Sequence, residues 1–131
     1  MGAPSKDHGT TVLLVEDEPL VRMLEADLLE DEGYRVIEAA NADEALRVLE
    51  TDPDAVNVLF TDVRMPGSMD GLRLARTAHE RWPHLKLLVT SGHLRIAERD
   101  LPDSGRFLPK PSEADALVRI MSEVVASSHH R

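Results

Sequence analysis

Several apolar, strand-like runs in this chain end in a residue that could do chemistry. Val12-Leu13-Leu14-Val15 leads into Glu16-Asp17, Val56-Asn57-Val58-Leu59-Phe60-Thr61 into Asp62, Leu85 to Val89 into Thr90, and Phe107-Leu108 into Lys110 by way of Pro109. Carboxylates held about 4 Å apart repel by roughly 4 kcal/mol per pair at an effective dielectric near 20, so a cluster of them needs a cation or a shifted pKa. An all-oxygen set without His or Cys favours Mg2+ (or Mn2+), and such an ion with open positions binds phosphate oxygens. A nearby lysine neutralises charge on a phosphoryl group in transfer. In that setting Asp62 is a candidate nucleophile that forms an aspartyl phosphate, and Thr90 offers a hydroxyl to a phosphoryl oxygen.

Those residues meet only if the fold brings the strand ends together. Strand-like and helix-like segments alternate along the chain. After Val12 to Val15, a helix is predicted from about Pro19 to Glu32, with Leu20, Leu24 and Leu28 at four-residue spacing, Pro19 in the first turn and Gly33 as the stop. Tyr34 to Ala39 reads as a strand. Asn41-Ala42-Asp43-Glu44 resembles a capping box opening a helix with Ala42, Ala45, Leu46 and Leu49 on one face. Gly71 to Arg81 reads as a third helix and Leu85 to Val89 as a fourth strand. His93 to Arg99 reads as a short fourth helix cut off by Pro102, and Arg106 to Leu108 as a fifth strand. Ser112-Glu113-Ala114-Asp115 caps a last helix striped by Ala114, Leu117, Val118, Met121 and Val125.

Five such units predict an α/β fold with a parallel sheet and helices on both faces, a flavodoxin-like (βα)5 three-layer sandwich of strand order 2-1-3-4-5. Ligands in such sheets bind beyond the carboxyl ends of the strands, where strand order reverses. That point falls between the first and third strands, which end in Asp17 and Asp62.

Composition narrows the classes. At 131 residues the chain fits one domain, expected over 10–126 with tails at 1–9 and 127–131. Cysteine is absent, which removes disulfides and thiolate chemistry. Its apolar runs are of strand length, short of the roughly 20 residues a membrane helix needs, and no signal-peptide pattern opens the chain, so a cytoplasmic protein without membrane insertion is expected. A net charge of -9 disfavours direct nucleic-acid binding.

The stretches VLLVEDEP, LFTDVRMPGSMDG, LLVTSG and FLPKP, in that order, resemble the response regulator receiver domain of two-component signalling. The resemblance implies that Asp62 is the phosphoacceptor and a metal ligand, that Asp17 binds Mg2+ directly and Glu16 through water, and that the backbone carbonyl of Arg64 completes the protein ligands. Thr90 matches the switch hydroxyl, Phe107 the aromatic switch position, and Lys110 the pocket lysine, followed by what is commonly a cis proline, here Pro111. It further implies a phosphoryl group taken from a phosphohistidine on a sensor histidine kinase or a histidine phosphotransfer protein. Switching would remodel the face of the fourth helix, fifth strand and fifth helix toward an unknown downstream protein target, in a monomer or a phosphorylation-dependent dimer. No enzymatic activity is expected beyond self-phosphorylation and self-dephosphorylation. Glu16 stands where Asp is commoner, Phe107 lacks the phenolic hydroxyl many receivers have, and the MPGSMDG loop is one residue longer than the commonest form.

Two other readings use the same parts. A phosphatase of the haloacid dehalogenase type also has an Asp nucleophile, but it requires a general acid two residues further on, where this chain has Arg64 after Asp62 and Pro19 after Asp17. A pseudo-receiver would use the fold as an interaction module without phosphorylation. For single residues the plainer roles are a helix cap for Asp17, core packing for Phe107 and helix-end packing for Trp82. His79, His84 and His93 are expected on the surface or in loops, since no ligand spacing links them.

Overall fold

The computed structural model describes residues 9–65, 67, 69–91, 101, 105–110 and 114–126. Five strands, β1 (Thr11–Val15), β2 (Arg35–Ala39), β3 (Val58–Asp62), β4 (Lys86–Ser91) and β5 (Arg106–Pro109), form one parallel sheet in the order β2-β1-β3-β4-β5. The helices among the described residues are α1 (Pro19–Asp31), α2 (Ala42–Thr51), α3 (Gly71–Arg81) and α4 (Ala114–Ala126), with a 3-10 turn at Pro53–Ala55. The α4 helix is the last helix of the sequence reading. The short helix expected over 93–99, the cap at Ser112-Glu113, Pro111 and both predicted tails, apart from Gly9, lie outside the described residues.

Period-two alternation in the strands feeds two cores. Leu13, Val15, Leu59, Leu87 and Val89 point to one face and pack with Ala42, Ala45 and Leu49 of α2 and Leu74, Ala75 and Ala78 of α3. Val12, Leu14, Val58, Phe60, Leu88 and Leu108 point to the other and meet Ala26 and Leu29 of α1 and Leu117, Ile120, Met121 and Val124 of α4. The central strands are therefore buried on both faces, as parallel sheets require, and the three layers follow.

Two helices sit rotated from the predicted faces. Leu20 and Leu24 of α1 are 60% and 58% exposed, while Ala26 and Leu29 are buried. Four-residue spacing advances 400° per step, so a row of leucines at 20, 24 and 28 drifts around the cylinder and only its last member approaches the sheet. In α4 the buried row is Leu117, Ile120, Met121 and Val124; Ala114 is exposed, and Val118 and Val125 are only half-buried. The predicted α2 stripe is seated as expected, with Leu46 half-buried.

Local chemistry sets the helix starts. Asn41 Oδ1 accepts the Glu44 N–H at 2.9 Å, and Glu44 Oε1 accepts the N–H of Ala40 at 2.8 Å, one residue before the position a standard capping box would use. Asp70 caps α3 through the Arg73 N–H at 2.9 Å. The turn between α2 and β3 is tied from outside: His84 Nε2 lies 3.0 Å from the Pro53 carbonyl and 3.2 Å from that of Val56, so this nitrogen carries the proton and donates. Arg81 stacks over Trp82 at 4.3 Å and pairs with Glu50 at 2.9 Å, closing the end of α3.

Candidate functional site

The strand order reverses at β1, so the gap between the ends of β1 and β3 is the switch point of the sheet. Glu16 and Asp17 follow β1 there and Asp62 is the last residue of β3. Thr90, in β4, is paired in register with Asp62. Lys110 follows β5 and is fixed by its N–H, which donates to the Ser91 carbonyl at 3.0 Å. Glu16, Asp17, Asp62 and Lys110 open on a cleft of about 250 Å³ that Glu18, Val21 and Arg64 also line.

Lys110 is the hub. Its Nζ donates to Glu16 Oε1 at 2.8 Å and to Asp62 Oδ2 at 3.0 Å. Glu16 and Asp62 are almost fully buried, and burial raises the Glu16 carboxyl above its ordinary value despite the lysine and the Glu18 N–H, which Glu16 Oε2 accepts at 3.1 Å. Burial also works against the Lys110 ammonium, yet its hydrogen bonds to the two carboxylates prevail and hold it above its ordinary value. Carboxylate oxygens of Glu16, Asp17 and Asp62 lie within 4.8 Å of one another. Asp17 is exposed and does not cap the following helix: the N-cap is Glu18, without a side-chain bond, and Glu16 takes the Glu18 N–H instead. The Asp17 carboxylate is thus left to the cleft. Three hard oxygen donors, with no imidazole or thiolate among them, fit Mg2+ or Mn2+.

The surroundings hold these atoms in place. Arg22 Nη1 donates to the Glu16 carbonyl at 2.8 Å, while its Nε pairs with Glu38 at 3.2 Å, which pins the end of β1 to α1 and β2. The Arg64 N–H reaches Asp62 Oδ1 at 3.4 Å. Thr61 Oγ1 donates to the Asp62 carbonyl at 2.9 Å, and Gly71 N donates to the Val63 carbonyl at 2.8 Å. A Cβ on Gly71 would collide with the Asp62 carbonyl oxygen, so only glycine lets α3 start this close to the end of β3. Thr90 Oγ1 is 2.6 Å from the Leu108 carbonyl, to which it donates. Phe107 is half-buried against the α2 and α3 core.

The sequence profile of the response regulator receiver domain matches residues 12–122. The chain belongs to the response regulator receiver family. It is 32% identical over 120 residues to the response regulator receiver protein CpdR of Brucella abortus, covering 89% of this chain and 98% of that one. It is 40% identical over 118 residues to the sensor kinase CckA of the same organism, covering 88% of this chain but 12% of CckA. The nitrogen assimilation regulatory protein NtrX of Azorhizobium caulinodans is 37% identical over 116 residues, 24% of its length, so the chain spans a quarter or less of the length of these two relatives. Among solved structures, the receiver domain of the hybrid histidine kinase CckA superposes with a TM-score of 0.77 at 33% identity, covering 88% of this chain and 98% of that one. A receiver protein from Sinorhizobium medicae gives 0.80 at 27%, covering 90% and 95%. As a receiver domain this chain is a phosphoacceptor of two-component signalling, and its acidic pocket fits the phosphorylation site.

The cleft brings together Glu16, Asp17, Asp62, Arg64 and Lys110. Thr90 is beside them in register, with its hydroxyl engaged by β5, and Phe107 packs on the far core. Sequence reasoning passed over Arg22 and took Gly71 only as a helix start. It also missed Glu25, half-buried on α1 with Oε1 buried and without a hydrogen-bond partner among the described residues. The one available signal was its place one turn after Arg22 within an otherwise apolar face.

Proposed function

We propose that Asp62 accepts a phosphoryl group from a phosphohistidine on a sensor histidine kinase or a histidine phosphotransfer protein. The observation that carries this reading is the Lys110 ammonium shared between Glu16 and Asp62 at the mouth of an acidic cleft. An oxygen of Asp62 attacks phosphorus in line with the donor imidazole. The P–O bond forms as the P–N bond breaks, and its electron pair returns to the imidazole nitrogen. Asp17, Asp62 and the Arg64 carbonyl would hold Mg2+ or Mn2+, with Glu16 acting through water, and the ion would supply charge neutralisation at the phosphoryl oxygens. Lys110 moves its hydrogen bond from Asp62 to a phosphoryl oxygen. The Thr90 hydroxyl leaves the Leu108 carbonyl for another, and Phe107 follows into the space.

The added charge of roughly two units then selects between two packings of the face formed by the fourth helix expected over 93–99, β5 and α4, which is the surface read by a downstream protein target. Residues 10–126 are the working unit, acting in the cytoplasm as a monomer or phosphorylation-dependent dimer. It performs no catalysis beyond gaining and losing its own phosphoryl group. Direct nucleic-acid binding is no part of this role. Exposed Leu20, Met23 and Leu24 on α1, beside the Val21 edge of the cleft, provide an apolar rest for the phosphodonor.

Labelled acetyl phosphate supplied with Mg2+ tests the reading. A stoichiometric label that is released by hydroxylamine marks an acyl phosphate on a receiver. A protein that takes no label is a pseudo-receiver, and continuous release of phosphate from varied monoesters marks a phosphatase.

A further inference from the structure

Thr61 is the polar member of a row that is otherwise apolar. Paired residues across the sheet run Ala39, Val15, Thr61, Val89 and Phe107, and its companions all belong to, or pack on, the core shared with α2 and α3. Thr61 is fully buried among them. The start of α3 covers it, since a Cβ on Gly71 would stand 2.8 Å from its hydroxyl. A valine would fill this place with the same β-branched shape and leave no hydroxyl to desolvate, so packing does not explain the threonine.

The hydroxyl is committed to the peptide that follows the phosphoacceptor. Thr61 Oγ1 donates to the Asp62 carbonyl at 2.9 Å, and on the other side of the same peptide the Val63 N–H donates to the Thr90 carbonyl at 2.9 Å. The next peptide is held in the same manner. Its Val63 carbonyl accepts from the Gly71 N–H at 2.8 Å, and its Arg64 N–H reaches Asp62 Oδ1 at 3.4 Å. Two successive planar peptides held at both ends fix the backbone angles of Val63, and with them the direction in which the chain enters Arg64. The Asp62 carboxylate is oriented as a result, with the Arg64 N–H on Oδ1 and Lys110 on Oδ2 at 3.0 Å. Thr90 and Gly71 contribute backbone atoms to this arrangement, and the acceptor for Arg64 is the reacting carboxylate itself. Thr61 alone gives it a side chain that takes no part in the chemistry.

We propose that Thr61 is a positioning residue for the phosphoacceptor: its hydroxyl holds the Asp62–Val63 peptide, which keeps the Arg64 N–H on Asp62 Oδ1 and sets the carboxylate in the cleft for the cation and the phosphoryl group. The proposal rests on the receiver reading and adds to it a residue beneath the pocket that touches neither.

Thr61→Val and Thr61→Ser in the full chain separate the hydroxyl from the packing. Valine keeps the shape and loses the hydroxyl, whereas serine keeps the hydroxyl and loses a methyl group. In metal-free, unphosphorylated protein, the amide hydrogens of Val63 and Arg64 are expected to exchange with water about fivefold faster in Thr61→Val, the factor an ordinary hydrogen bond is worth, and within about twofold of wild type in Thr61→Ser. Half-saturation by Mg2+, read from the Asp17 and Asp62 amide signals, should need about fivefold more metal in Thr61→Val, and the maximal rate of phosphorylation by acetyl phosphate should fall by a similar factor. Thr61→Ser should restore both. Unchanged amide exchange or an unchanged phosphorylation rate in Thr61→Val overturns the positioning role. Losses as large in Thr61→Ser as in Thr61→Val overturn it too, because a packing role makes serine the worse substitution. Failure of the wild type to take phosphate, with Val63 and Arg64 exchange altered as expected, sinks the receiver reading and leaves Thr61 holding the peptide after Asp62.

Discussion

The Lys110 ammonium lies 3.0 Å from Asp62 Oδ2, linking the end of β5 to the end of β3 across the intervening β4. With Glu16 at 2.8 Å on the same nitrogen, one cation offsets two buried carboxylates. Lys110→Ala leaves those carboxylates facing each other. It is expected to cost about 1–2 kcal/mol at pH 7 in urea unfolding, and less near pH 4, where the Glu16 carboxyl, raised by burial, takes up a proton. Phosphorylation by acetyl phosphate should fall at least tenfold. Unchanged stability at both pH values would show that the pair contributes nothing.

Glu25 makes stability depend on pH with a definite sign. Its carboxyl is raised from 4.5 to about 7 in the fold, so the folded state binds the proton more tightly than the unfolded chain. The cost is absent below pH 4.5, develops between pH 4.5 and 7, and is complete above 7. Glu25→Leu should therefore stabilise the protein by an amount on the order of 1–3 kcal/mol at pH 8, and by clearly less at pH 5. Urea midpoints at the two pH values check this, and an equal gain at both would contradict it.

The start of α3 depends on a missing side chain. Gly71→Ala drives a methyl group into the Asp62 carbonyl and within 2.8 Å of the Thr61 hydroxyl. A loss of about 1–3 kcal/mol is expected, together with shifted amide signals at Asp62 and Val63. A substitution without thermal effect would mean that α3 begins farther from β3.

Much of this geometry was legible because the site sits where backbone rules place it. Alternating apolar strands require a two-sided parallel sheet, and the switch point then brings Asp17 and Asp62 together. Helix faces were harder. The leucines at 20, 24 and 28 look like a core stripe, yet the helix turns Leu20 and Leu24 outward because burial in α1 follows Ala26 and Leu29. Glu25 hid for the converse reason, since a charged residue in a helix reads as solvated until the packing around it is known. Arg22 and His84 act through backbone carbonyls brought near only by tertiary structure, for which sequence spacing carries no signal.

The exposed α1 leucines separate two kinds of donor. Leu20→Ser with Leu24→Ser should slow phosphotransfer from a phosphorylated histidine donor about tenfold or more, while acetyl phosphate labelling stays within twofold. Comparing the two rates in the double variant checks it. Parallel losses would place these residues in the pocket's chemistry instead of in docking.

The Thr90 hydroxyl donates to the Leu108 carbonyl and so ties β4 to β5 beside the pocket. Thr90→Ala removes the hydrogen bond to the Leu108 carbonyl, with a cost of about 1 kcal/mol. The variant should still accept phosphate on Asp62, while the phosphorylation-induced shifts of Phe107 ring signals disappear. Ring shifts that persist in Thr90→Ala would show that the signal leaves by another route.

The central claim is that Asp62 takes the phosphoryl group. Intact mass after incubation with acetyl phosphate and Mg2+ is its most direct test. Wild type is predicted to gain one phosphoryl increment that is lost with EDTA in the reaction, and Asp62→Ala is predicted to gain none. An equal adduct on Asp62→Ala, or no adduct on wild type, would contradict it.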